Sequence, residues 1–249
     1  MNEDTTIIFQ FATHFLSRIA LRLEYFFKTI TEACHESHEL IHRFALKSII
    51  EILELIERPE VKSRFLKELI RIEHVLKKTN SINDIPLFRQ LEEQIYILSH
   101  VPDPFGSSIQ EDLFLKSLRQ IHQPNTQECE FNSPQLVLWF NSDALVRQNT
   151  ISHWLLLLKN LENTVHIYLN LLREATQYAP IITHNGFYQY GISPKSMNHL
   201  ILLKMDKSLN IIPKLQLGHH NLTIRLYDGS AGHEIHNHDI AMEIGFSQL

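Results

Sequence analysis

The stretch from Ser152 to Tyr178 constrains this chain more than any other. Apolar residues recur at Trp154, Leu158, Leu161, Val165, Tyr168, Leu172, Ala175 and Ala179, alternating steps of four and three, which lays one continuous seam along a helix and cannot be held by a strand. Leu155, Leu157, Ile167, Leu169 and Leu171 put apolar side chains on other faces as well. The spacing therefore predicts a central helix packed on more than one side, stopped by Pro180. Beyond it the pattern changes: Asn185-Gly186 reads as a turn feeding the aromatic strand Phe187-Tyr188-Gln189.

The rest of the chain alternates between the two periods. Thr5 to Phe11 is β-branched and aromatic and predicts a first strand. Helical spacing runs from Phe15 to Ala33, from His38 to Glu57, from Pro59 to Lys78, from Ile85 to Leu98 and from Ile109 to His122. Pro59 suits a first helical turn, where its missing N–H costs nothing, and Asn80-Ser81 breaks the helix it opens. Glu128 to Phe140 reads as one or two short strands. Six of the seven glycines stand at Gly186 or later, where Leu200–Met205, Asn210–Leu215, Asn221–Leu226 and Asp239–Phe246 predict four more strands. The expected fold is α+β: a helical bundle domain plus an antiparallel β domain assembled from N-terminal, middle and C-terminal strands. Residues 12–123 and 150–180 make the helical domain in this reading, and 1–11, 124–149 and 181–249 the β domain.

Composition excludes several function classes. At 249 residues and 44% hydrophobic content the chain is a folded protein. Its net charge of −5 speaks against a nucleic-acid partner reached through gross electrostatics. Leu155–Leu158 is the longest leucine run, far short of the ~20 apolar residues of a membrane span. Cys34 and Cys129 have no metal-ligand spacing and no signal peptide precedes them, so a reducing cytosol is the expected home. No Gly-rich phosphate loop, GxSxG or framed carboxylate pair marks a catalytic centre.

Several stretches resemble one family. Leu21-Arg22-Leu23-Glu24-Tyr25, Glu57-Arg58-Pro59-Glu60-Val61-Lys62 followed by Leu66-Lys67-Glu68-Leu69, Leu138-Trp139-Phe140 and Asn185-Gly186-Phe187-Tyr188-Gln189 are similar, in order and separation, to the cell division protein ZapD family. The resemblance covers nearly the whole chain, and the Asn-Gly-Phe-Tyr-Gln run is its most specific part. It implies a cytoplasmic, non-enzymatic homodimer at the mid-cell division site that binds the C-terminal tail of FtsZ and bundles FtsZ filaments. It implies no cofactor and neither a nucleic-acid nor a membrane partner. Carried over residue by residue, it assigns tail binding to Arg22 and Arg225, with Arg18, Lys116 and Arg119 as pattern neighbours. Leu113 and Val137 depart from it, standing where relatives can place an arginine and a histidine. Residue types fit the task, because a flexible tail bearing carboxylates and apolar side chains needs guanidinium forks beside apolar surface.

Two other readings compete. Sixteen histidines are present, and His219, His220, His233, His236 and His238 fall late, with Glu234 and Asp239 beside them. His236 and His238 would share one strand face, as ligands in a metal-binding β domain can. His233-Glu234-Ile235-His236 has part of a zinc-peptidase pattern, but its second histidine comes one residue early and Gly232 with Asn237 argue against a helix. The paired helices also suit a generic helical adaptor. For the arginines the plain alternative is solvation: Arg18 and Arg22 as a salt-bridged helix face, Arg225 as the outward member of an alternating strand.

Overall fold

The computed structural model describes residues 5–58, 60–79, 85–121, 133–193, 198–247 and 249. Strand β1 (Thr6–Ala12) precedes the helices α1 (Phe15–Ala33), α2 (Glu39–Ile56), α3 (Glu60–Thr79), α4 (Ile85–His100), α5 (Ser107–Gln110), α6 (Leu113–Ile121), α7 (Pro134–Phe140), α8 (Ala144–Leu157) and α9 (Lys159–Glu174). Strands β2 (Gln177–Thr183), β3 (Phe187–Gly191), β4 (Leu200–Asp206), β5 (Ile211–Leu217), β6 (Asn221–Asp228) and β7 (Ile240–Ser247) follow. The fold is α+β, as the periodicity predicts. Two compact units divide the chain: Met1–Arg18 with Leu169–Leu249, and Ile19–Tyr168. Among the described residues no helix is long and apolar enough to cross a membrane.

In the helical unit the seam expected from Trp154 onward is buried at Trp154, Leu158, Leu161, Val165 and Tyr168. It is carried by two helices, however. The Leu158 N–H bonds to the carbonyls of both Trp154 and Leu155, so the last turn of α8 tightens and Lys159 opens α9. Helix α2 starts at His38, whose imidazole accepts the Leu40 N–H at 3.2 Å. Its face of Ala45, Ile49, Ile52, Leu53 and Ile56 is buried, as is the α3 stripe of Val61, Phe65, Leu69, Ile72 and Leu76. Phe65 meets the Tyr168 ring edge-on at 5.7 Å, and burial of Tyr168 pushes its phenol above the ordinary tyrosine range.

Three further expectations are corrected. The helix expected from Ile109 to His122 is two, because the Asp112 carboxylate accepts the Leu115 N–H and the Trp154 indole, each at 2.9 Å, and so caps α6. The strand expected over Gln135–Phe140 is a helix instead: Pro134–Phe140 is α7, opened by the Ser133 hydroxyl accepting the Leu136 N–H with Pro134 in the first turn. The end of the long helix is likewise a strand, since α9 stops at Glu174 and Gln177–Thr183 pairs with β7, Pro180 facing Glu243. Pro59, Asn80-Ser81 and residues 128–132, on which the sequence also makes predictions, lie outside the described residues.

The β unit holds two antiparallel sheets, β1-β4-β7-β2 and β3-β6-β5. Strand β4 lies inside its sheet, and its apolar run Leu200–Leu203 is buried throughout. One hydrophobic cluster joins the sheets: Ile181, Ile201, Leu203, Met205, Ile240, Met242 and Ile244 from one, Leu222, Ile224 and Leu226 from the other. The expected Asn-Gly turn links β2 to β3, with Asn185 at φ 51° and Gly186 at φ 72°, the positive pair that a two-residue type I′ hairpin requires. A Cβ on Gly186 would lie 2.2 Å from the Ile235 carbonyl oxygen, so only glycine fits.

Candidate functional site

Alternation along β6 turns Leu222, Ile224 and Leu226 into the core and Thr223, Arg225 and Tyr227 outward. The register then builds a row: Phe187 of β3 and Lys214 of β5 stand on either side of Arg225. The Arg225 guanidinium lies 5.4 Å from the Phe187 ring centre and donates to Glu234 at 2.6 Å. Lys214 Nζ sits 3.9 Å from the Tyr227 ring centre. Exposed Ile212 is opposite Tyr227 on β5. This outer face thus offers two cations backed by aromatic rings and an aliphatic side chain. Arg225 is legible from alternation; Lys214 and Phe187 join it only through strand register, which no local pattern encodes.

Arg22, on exposed α1 surface in the helical unit, has the same construction. Its guanidinium lies 5.4 Å from the Phe26 ring centre and forms an ion pair with Glu51 of α2. Tyr25 beside it is 66% exposed. Arg119 donates to Glu57 at 3.1 Å and Lys116 to Glu111 at 2.8 Å. Arg18 belongs to the β unit, where its Nε reaches the Ala12 carbonyl at 3.4 Å. Leu113 and Val137, the two departures from the resemblance, are both exposed, Leu113 at 80%, so aliphatic side chains stand on the surface at both positions.

The late histidines do not converge. His219 and His220 stack on one another at 4.8 Å. His184 Nδ1 and the Asn185 N–H each bond to the Asp239 carboxylate at 3.1 Å. That backbone bond, with His184 next, holds the Asp239 carboxyl below the usual carboxylate range. Among the described residues no three of His, Cys, Asp and Glu come together as a metal site. The metal-binding reading therefore has no assembled ligand set behind it.

The class these features define is an α+β protein carrying exposed guanidinium–aromatic pairs in each of its two units. The sequence profile of ZapD, described as a cell division protein, matches residues 21–225. A ZapD of Coxiella burnetii is 26% identical over 248 residues, covering 97% of this chain and 96% of its own. One from Photorhabdus laumondii is 31% identical over 196 residues, covering 76% and 78%, and one from Nitrosomonas eutropha is 25% identical over 244 residues, covering 93% and 95%. The chain belongs to the ZapD family of cell division proteins.

Proposed function

We propose that this protein is a non-enzymatic homodimer that binds the C-terminal tail of FtsZ and cross-links FtsZ filaments into bundles, promoting assembly of the division ring at mid-cell in the cytoplasm. Family membership supports the division role, and the shared build of Arg22 and Arg225 carries the tail-binding reading. Each guanidinium rests by a phenylalanine ring and is held by a single glutamate, Glu51 or Glu234, on exposed surface. A carboxylate arriving on a peptide can take the place of that glutamate, while the ring offers apolar contact to the neighbouring side chain. Such contacts are weak singly, because ordering a flexible tail offsets much of the contact energy. A dimer that engages a polymer with many tails gains avidity of roughly 10² to 10⁴ through effective concentration. Arg18, Lys116 and Arg119 add cationic rim in this reading.

The deciding experiment is co-sedimentation with polymerised FtsZ, with and without its tail. Tail-dependent pelleting of bundles is expected, and the double variant Arg22→Glu with Arg225→Glu loses it while its circular dichroism stays unchanged. Pelleting that ignores the tail removes tail recognition; a monomer in sedimentation equilibrium removes the cross-linking mechanism. Pelleting of neither kind leaves the helical-adaptor reading.

A further inference from the structure

The two sheets have four edges, and three are blunted or short. Edge strand β2 carries Pro180, edge strand β5 carries Pro213, and β3 spans only Phe187–Gly191. Proline on an edge and short edge strands both discourage further pairing. Strand β1 has neither device: Thr6-Ile7-Ile8-Phe9-Gln10-Phe11-Ala12 contains no proline and no charge. Among the described residues β4 is its one neighbour in the sheet. Ile7 and Ile8 are 36% and 46% exposed.

The phase of β1 can be read at its end. The Thr13 N–H donates towards the β4 side, to the His199 carbonyl at 3.2 Å, whereas the Ala12 carbonyl accepts from Arg18. Hydrogen-bonding direction alternates along a strand, so Ile8 and Gln10, in phase with Ala12, turn their N–H and C=O groups away from β4. Cations flank this edge. Arg18 sits on the Ala12 carbonyl, and the Arg173 guanidinium donates to the Gln10 side-chain oxygen at 3.0 and 3.1 Å. An uncharged strand open for pairing, with two guanidiniums along it, matches an extended peptide carrying carboxylates. The segment Thr6–Ala12 of a second copy carries no carboxylate of its own.

We infer that β1 is the acceptor edge for an extended acidic segment, which adds to the β1-β4-β7-β2 sheet as a fifth strand and places its carboxylates at Arg18 and Arg173. The inference rests on the tail-binding reading and gives that tail a backbone-paired conformation. Main-chain hydrogen bonds at Ile8 and Gln10 supply the register; the arginines select for charge.

The test is amide hydrogen exchange on the full chain with a synthetic peptide of the FtsZ C-terminal tail, alongside binding of that peptide to the variant Ile8→Pro. The substitution removes an outward N–H without touching the β1–β4 ladder. Exchange at Ile8 and Gln10 slows together when peptide is added, and Ile8→Pro binds it about tenfold more weakly, the scale of a lost backbone hydrogen bond. Should Ile8→Pro unfold, Arg18→Glu takes its place, with weaker peptide binding and an unchanged unfolding midpoint expected. Tight peptide binding with Ile8 and Gln10 still exchanging freely overturns strand addition while tail recognition stands. Protection of the same amides that grows with protein concentration and needs no peptide overturns it in favour of self-pairing. A wild-type chain that does not bind the peptide sinks both ideas together.

Discussion

Arg147 shows how much a single side chain can organise. Only 7% exposed, it donates from Nε to His42 Nδ1 at 2.9 Å, from Nη1 to the carbonyls of Phe140 at 2.9 Å and of Ser142, and from Nη2 to the Ser37 carbonyl at 3.4 Å. His42 is fully buried, and its Nε2 bonds to the Glu36 carbonyl at 2.8 Å. Because Nδ1 accepts from arginine, the proton resides on Nε2 and donates to that carbonyl. One fork thereby ties the start of α2 to the turn between α7 and α8. Replacing Arg147 with leucine leaves the imidazole nitrogen and buried carbonyls without donors, and the expected loss is about 3 kcal/mol in urea unfolding. An unchanged midpoint would show that water reaches those groups. Nothing local marks either residue: they lie 105 positions apart, and a basic residue in sequence reads by default as solvated surface.

At the scale of elements, most helices and the glycine-rich strands were legible because each keeps one period and closes on a recognisable stop. The misreadings fall where propensity and partner disagree. Leu136-Val137-Leu138-Trp139-Phe140 is an unbroken apolar run, which period cannot assign to helix or strand, although Ser133 followed by Pro134 was an available helix-start signal. Ala175, just before β2, and Ala179 within it extend the helical spacing, yet Ile181-Ile182-Thr183 pairs with Ala241 and its neighbours on β7, a long-range pairing that overrides local preference. The Asn185-Gly186 turn is the opposite case, encoded locally and confirmed by a tight fit against Ile235. Gly186→Ala forces a Cβ onto that carbonyl oxygen at a positive φ, so about 2–3 kcal/mol of stability should be lost. Faster amide exchange in β3 would report it, and Phe187, the ring behind Arg225, would lose its fixed position. A variant as stable as the parent would mean that the loop carrying Ile235 gives way.

For the whole molecule, the proposed cross-linking makes a quantitative demand on ionic strength. Arg22 and Arg225 have half-exposed side chains, 52% and 50%, so each contributes to a tail contact at the level of an exposed ion pair, about 1 kcal/mol or less. Charges this open are screened over a Debye length of about 10 Å at 0.1 M salt. Binding of one isolated tail peptide should therefore weaken only modestly as salt rises. Bundling behaves differently, because a dimer bridging two filaments needs two such contacts at once and the loss at each multiplies into the linked state. The logarithm of bundled FtsZ against the logarithm of salt should fall about twice as steeply as that of peptide binding. Light scattering for the bundles and fluorescence anisotropy for the peptide, in one salt series, measure both slopes. Equal slopes would mean that one contact suffices and that the second copy does not grip a tail. A bundling curve insensitive to salt would place the cross-link on apolar surface such as Leu113 and Leu138, which are 80% and 75% exposed, and remove the guanidiniums from it.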